Sequence, residues 1–300
     1  MKTQLKIGLA LGSGSSRGWS HIGIINELSK LGIHPDVVCG TSVGAMVGAA
    51  YVTGHIEKLE SWARSLTKLD VARFLNINPS TTGFVNTERF HDYLNENIAS
   101  DNDSIENLAK VYAAVATDLE NGREVWLSKG SLVQAVWASM ALPGLFPAIR
   151  YDNSWLVDGG LVNPVPVSTC RALGADIVIA VNLNGDIVGK HFEKPKKNMK
   201  EGVTGKLSEL VKEYTHLSFF EARDDNPPPG MLNAIAASIN ITQDRLTRSR
   251  MAGDPPDIVF SPKLADIGLL ELYRAEQAIA EGERCVQRQI SEIEYVFTRS

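Results

Sequence analysis

The run Pro35-Asp36-Val37-Val38-Cys39 breaks at Gly40-Thr41-Ser42-Val43-Gly44 and resumes as Ala45-Met46-Val47-Gly48-Ala49-Ala50-Tyr51. The first segment reads as a buried strand and the second as a helix. A serine with glycines two residues to either side, set between such runs, predicts a tight bend at the mouth of a sheet. The glycines let strand and helix pass without a Cβ clash, and the serine hydroxyl is left exposed and aimed. The following helix would place its N-terminal N–H groups and positive dipole end behind that hydroxyl, where a developing negative charge is stabilised.

Residues 5–11 read as another buried strand, leading through Gly12-Ser13-Gly14-Ser15-Ser16-Arg17-Gly18 into an amphipathic helix that ends near Gly32. Strand, loop, helix, strand, bend, helix is the order of an α/β protein with parallel strands. Both glycine-bearing loops then fall at strand carboxyl ends, where open α/β sheets bind ligands. Helices are predicted over 56–66, 87–97 and 131–140, the last stopped by Pro143. Asn121-Gly122 predicts a hairpin between strands 110–118 and 123–127, and Asp152-Asn153 another between 149–151 and 155–157. A strongly apolar strand is predicted over 176–183, helices over 231–250 and 269–290, and a short edge strand over 257–260. Residues 186–230 hold six lysines by position 206 and a proline run at 227–229, and read as a solvated linker, since a membrane-facing basic helix would need an apolar face. The expectation is one domain over residues 1–300, with a motif-bearing core over 6–185 and tail helices over 231–300 packed on it.

The 300 residues carry a net charge of −5 and lack a basic stripe, which argues against a nucleic-acid partner. Cys39, Cys170 and Cys285 are far apart, so neither a disulfide framework nor a zinc set is expected. The N-terminal apolar run is too short for a signal peptide and no run has transmembrane length, which predicts a cytoplasmic protein whose membrane contact, if any, is peripheral.

A serine nucleophile needs a proton acceptor and donors for the oxyanion. Each of the six histidines reads as a surface or packing residue: only His191 and His216 come late in the chain, and neither follows a strand. Asp158-Gly159-Gly160 follows Trp155-Leu156-Val157 directly, so its carboxylate would emerge at a strand end; a plain Asp-Gly turn is the competing reading. Desolvation would raise the basicity of such an aspartate. Gly12-Ser13-Gly14 would supply the oxyanion donors. A dinucleotide loop is the rival there, but Gly12, Gly14 and Gly18 are spaced one residue too long, and the next strand ends in Cys39-Gly40 rather than an acid. Arg17 reads as support for the loop, as a contact for an anionic head group, or equally as one half of a structural salt bridge.

Four motifs in order resemble the patatin-like phospholipases, and among them the bacterial members related to neuropathy target esterase. These are residues 12–18 with His21-Ile22-Gly23, residues 40–44, Ser139-Met140-Ala141-Leu142-Pro143-Gly144-Leu145-Phe146-Pro147, and Asp158-Gly159-Gly160 with Asn163-Pro164-Val165-Pro166. The resemblance implies a three-layer α/β/α fold around a central, mostly parallel sheet, and a serine-aspartate dyad without metal or other cofactor. Ser42 would be the nucleophile, Asp158 the base, and Gly12, Ser13 and Gly14 the oxyanion hole. The expected activity is hydrolysis of a lipid carboxylic ester through an acyl-enzyme, on a substrate met at a membrane surface; a catalytically weak regulatory or scaffold protein on the same fold is the alternative. Ser13, Ser15 and Ser16 depart from the family pattern, which has glycines or an alanine there.

Overall fold

A computed structural model describes residues 5–74, 87–99, 103–187 and 231–299. Its centre is an eight-stranded sheet of β1 (Ile7–Leu11), β2 (Val37–Thr41), β3 (Val111–Asp118), β4 (Glu124–Leu127), β5 (Ile149–Tyr151), β6 (Ser154–Asp158), β7 (Ile177–Val181) and β8 (Ile258–Phe260). The order across the sheet is β5-β6-β3-β2-β1-β7-β8, with β4 also on β3. The run β3-β2-β1-β7-β8 is parallel throughout. The two predicted hairpins form and bring in the antiparallel strands β4, β5 and β6.

Alternation along the strands separates two cores. Leu9, Leu11, Val38, Tyr112, Ala114, Ile179 and Val181 join one apolar cluster, while Ala10, Val37, Cys39, Ala113, Val178 and Ala180 join another. Successive residues of a strand point to opposite faces, so a sheet buried on both sides needs apolar residues at every position. Helices α1 (Ser20–Lys30), α2 (Val43–Val52) and α6 (Leu132–Met140) cover the first face, and the short α7 (Val167–Ala172) lies on the second. The result is a three-layer α/β/α protein. Helix α2 is apolar around most of its circumference and lies inside the molecule, as such helices do.

Around these run α3 (Ile56–Ser65), α4 (Lys68–Phe74), α5 (Thr87–Asn97), α8 (Met231–Gly253), α9 (Ala275–Gln287) and α10 (Ile290–Arg299). Neither α4 nor α7 was foreseen, each being a turn or two of chain. The helix expected over 269–290 begins instead as a 3-10 turn, Leu272–Arg274, continues as α9 to Gln287, and is followed by a further helix, α10, that was not expected. The lysine-rich linker lies outside the described residues but for its first two positions. Helix α9 lies against α1 so closely that a Cβ on Gly23 would fall 2.0 Å from Ile279 O, and one on Gly282 2.1 Å from Ser20 O. Among the described residues no helix is long and apolar enough to cross a membrane.

Candidate active site

Register places the two candidate side chains, Ser42 and Asp158. Thr41 pairs with Val115 and Asp158 with Ala116, so the residue after β2 and the last residue of β6 arrive level with each other across β3, although β6 runs the opposite way. The Ser42 hydroxyl donates to Asp158 Oδ2 at 2.5 Å. Ser42 has φ 58° and ψ −125°, a conformation that costs an L-residue about 1–3 kcal/mol and holds its side chain out of the bend. The bend is fixed from below. Ser42 N–H donates to Ser139 Oγ at 2.9 Å, and Ser139 Oγ donates in turn to Val115 O at 2.6 Å. A Cβ on Gly44 would fall 2.2 Å from Leu11 O, so only glycine lets α2 leave so close to β1.

Asp158 is buried, and desolvation pushes its pKa up to about 6; hydrogen bonds from the Ser42 hydroxyl and Gly160 N–H pull the other way. Its Oδ1 accepts from Gly160 N–H at 2.7 Å, and its backbone carbonyl accepts from Thr117 Oγ1 at 2.8 Å. The carboxylate is thus buried and partnered at both oxygens. No histidine shares a hydrogen bond with Ser42 among the described residues. Buried His21 has its pKa lowered by desolvation to about 4, and its neutral ring bonds Gly12 O at 2.8 Å through Nε2.

The glycine loop corrects two of the expected donors. Gly12 N–H is committed to Val181 O at 3.1 Å and Ser13 N–H to Pro164 O at 2.8 Å, because the chain leaving β1 still runs beside β7 and then packs on the segment after Asn163. Among the described residues, Gly14 and Ser15 N–H have no protein acceptor, and neither does Val43 N–H at the start of α2. Ser15, Ser42 and Val43 line one pocket. The serines that depart from the family pattern have structural work: Ser15 and Ser16 both donate through Oγ to Leu269 O, at 2.6 and 2.7 Å. Arg17 is buried, with Nε on Gly14 O at 3.1 Å and Nη2 on Asn240 Oδ1 at 2.8 Å. It pairs with no carboxylate among the described residues, and burial lowers its pKa to about 10, so it remains a cation behind the loop at neutral pH.

The pocket at Ser42 is walled by Trp19, Met46, Trp62, Leu66, Met140 and Phe146, with Leu142, Leu145, Leu270 and Leu272 also facing it. Its empty space, mouth included, is about 820 Å³. Apolar walls around the hydroxyls of Ser15 and Ser42 are what binds and orients a largely apolar ligand. Among the described residues no three His, Cys, Asp or Glu side chains are grouped to hold a metal.

An α/β sheet presenting a strained serine to a buried carboxylate beside an apolar pocket defines a class of protein. The family model of patatin-like phospholipase matches residues 9–171. An uncharacterised NTE family protein of Mycobacterium tuberculosis (strain ATCC 25618 / H37Rv) is 29% identical over 92% of this chain and 89% of its own length. Patatin-like phospholipase domain-containing protein 7 of Mus musculus is 31% identical over 68% of this chain and 15% of that protein. Lysophospholipase nte1 of Aspergillus oryzae (strain ATCC 42149 / RIB 40) is 26% identical over 92% of this chain and 17% of its own. The chain belongs to the patatin-like phospholipase family and is a lipid ester hydrolase.

Ser139 and the α8 residues behind the loop were not anticipated as site residues. Ser139 lies inside the 139–147 motif, but nothing in its sequence neighbourhood points to Ser42. Asn240 and Gln243 stand in a stretch read only as helical.

Proposed function

We propose that Ser42 and Asp158 act as a catalytic dyad that hydrolyses the carboxylic ester of a lipid through an acyl-enzyme. Ser42 Oγ attacks the ester carbonyl while its proton passes to Asp158 Oδ2. The tetrahedral oxyanion is held by Gly14, Ser15 and Val43 N–H, with the Arg17 charge and the α2 N-terminus behind them. The intermediate collapses, the alkoxide leaves with the proton held by Asp158, and the acyl group stays on Ser42. Water then attacks the acyl carbonyl, giving its proton to Asp158; Ser42 Oγ departs and is reprotonated, and a fatty acid is released.

The observation that carries this reading is the 2.5 Å contact from Ser42 Oγ to a desolvated carboxylate at an apolar pocket. An exposed aspartate would be too weak a base, and burial supplies the difference. The pocket would take the acyl chain, and the name of the fungal relative supports a lysophospholipid as substrate.

The test is release of p-nitrophenol from acyl esters by wild type, Ser42→Ala and Asp158→Asn, with fluorophosphonate labelling beside it. Wild type should hydrolyse and be labelled at Ser42, and both variants should fall by roughly 10⁴-fold or to background. Hydrolysis that survives Ser42→Ala would remove the dyad from the mechanism.

A further inference from the structure

Helix α8 turns a polar stripe toward the site. Asn240, Gln243, Asp244 and Thr247 follow one another at helical spacing and are all buried, where a helix that merely covers a core would present apolar side chains. Two of them reach the catalytic loops directly. Asn240 Oδ1 accepts from Arg17 Nη2 at 2.8 Å. Gln243 Oε1 accepts from Ser13 Oγ and from Asn184 Nδ2, each at 3.0 Å. Because both partners donate, the oxygen of the Gln243 amide faces them and the nitrogen is turned the other way. It is turned toward Gly160: a Cβ there would fall 2.4 Å from Gln243 Nε2 and 2.9 Å from Asp158 Oδ1. One side chain therefore abuts both the loop of the oxyanion donors and the turn that holds the carboxylate.

We propose that Gln243 is a positioning residue that locks the 12–18 loop to the Asp158 turn, so that oxyanion donors and base keep a fixed mutual geometry. This rests on the Ser42-Asp158 reading. A loop of glycines and serines is costly to hold still, and oxyanion donors are effective only when preorganised. A displacement of about 1 Å at such a site costs on the order of 100-fold in rate. Residue 243 lies far beyond the family motifs, so the tail of the chain completes the site.

Gln243→Met keeps the length and loses the acceptor; Gln243→Glu keeps an acceptor for both donors but sets a negative charge beside Asp158. The groups facing this amide are Ser13, Asn184 and the Asp158-Gly160 turn, with Asp244 next to it on α8 bonded to Arg248 and the Arg17 cation behind the loop. For Gln243→Met, kcat on p-nitrophenyl esters should fall roughly 10-fold to 100-fold with KM near its wild-type value. For Gln243→Glu, most of kcat should return, and the acid limb of the pH profile should move upward, because a like charge disfavours the ionised carboxylate. A role in stability alone would lower the melting temperature and the active fraction without moving that limb. Wild-type kcat in folded Gln243→Met together with an unmoved limb in Gln243→Glu overturns the proposal. Hydrogen exchange of the Ser13 and Arg17 amides, which the lock should keep bonded to Pro164 O and Gly14 O, is measured in parallel. If wild type itself neither hydrolyses nor labels, the dyad reading has failed, and exchange alone decides: faster exchange in Gln243→Met upholds the lock and unchanged exchange overturns it. Should Gln243→Met not fold, Ser13→Ala removes the same bond from the other side and should speed the same amides.

Discussion

Burial suits Asp158 to the proposed role of base and also makes it a burden on the fold. Its folded pKa of about 6 lies above the ordinary aspartate value. A carboxyl raised in this way favours the fold below about pH 4, and that contribution is lost as pH rises through about 6. At neutral pH the shift corresponds to a penalty of about 3 kcal/mol. Asp158→Asn should therefore abolish turnover and yet raise stability at about pH 7.5 by roughly 1–3 kcal/mol in urea unfolding, a gain that disappears near pH 4. A variant no more stable than wild type at the higher pH would mean that the carboxylate is not desolvated. The same pKa places the acid limb of kcat/KM near pH 6, with activity falling about tenfold per pH unit below it. Ser139 is a second test at this scale. Ser139→Ala leaves Ser42 N–H and Val115 O without their partner, costing about 1–3 kcal/mol. The strained bend then loses its tether, and kcat should drop by about tenfold or more, read beside the urea midpoint; unchanged kcat would show that the bend holds itself.

At the scale of elements, α1 and α9 make the contact most exposed to a single methyl. With its Cβ 2.1 Å from Ser20 O, Gly282→Ala must push α9 off α1 and should cost about 1–3 kcal/mol or more, measured as a lowered urea midpoint. An unchanged midpoint would mean that the two helices are not seated against each other. Most elements were legible, because each carried its own signal: β-branched runs for β2 and β7, Asn-Gly and Asp-Asn turns for the two hairpins, and Pro143 as the stop of α6. What stayed hidden depends on partners distant in sequence. Whether Gly12 N–H is free depends on Val181 O, and whether Ser139 matters depends on Ser42, 97 residues away. Residue types within a loop cannot show which N–H groups the neighbouring strand will consume. The Ser42 and Asp158 positions were legible because a strand end with following glycines marks each; their registry across β3 was not, since it needs the antiparallel return of β6.

For the whole molecule, the family match ends at residue 171, but the packing does not. β8 pairs with β7 in parallel and closes that edge of the sheet. Ile258, Phe260, Leu264, Ile267, Ala278, Ile279 and Val286 belong to the same apolar cluster as Leu9, Ile22 and Val47. Leu269 O anchors Ser15 and Ser16, and α8 anchors Ser13 and Arg17. A chain ending at residue 187 would keep every motif and lose all of these. It would also expose one side of β7, a central-type strand with buried apolar residues throughout, as an unprotected edge. Such a truncation should show no cooperative urea transition, should associate in solution, and should leave Ser42 unlabelled by a fluorophosphonate. Adding residues 231–300 as a separate polypeptide should restore labelling to the extent that α8, β8 and α9 redock. A 1–187 fragment that unfolds cooperatively and labels at the wild-type rate would instead make the tail an accessory, and would place the preorganisation of the oxyanion loop wholly within the motif-bearing part of the chain.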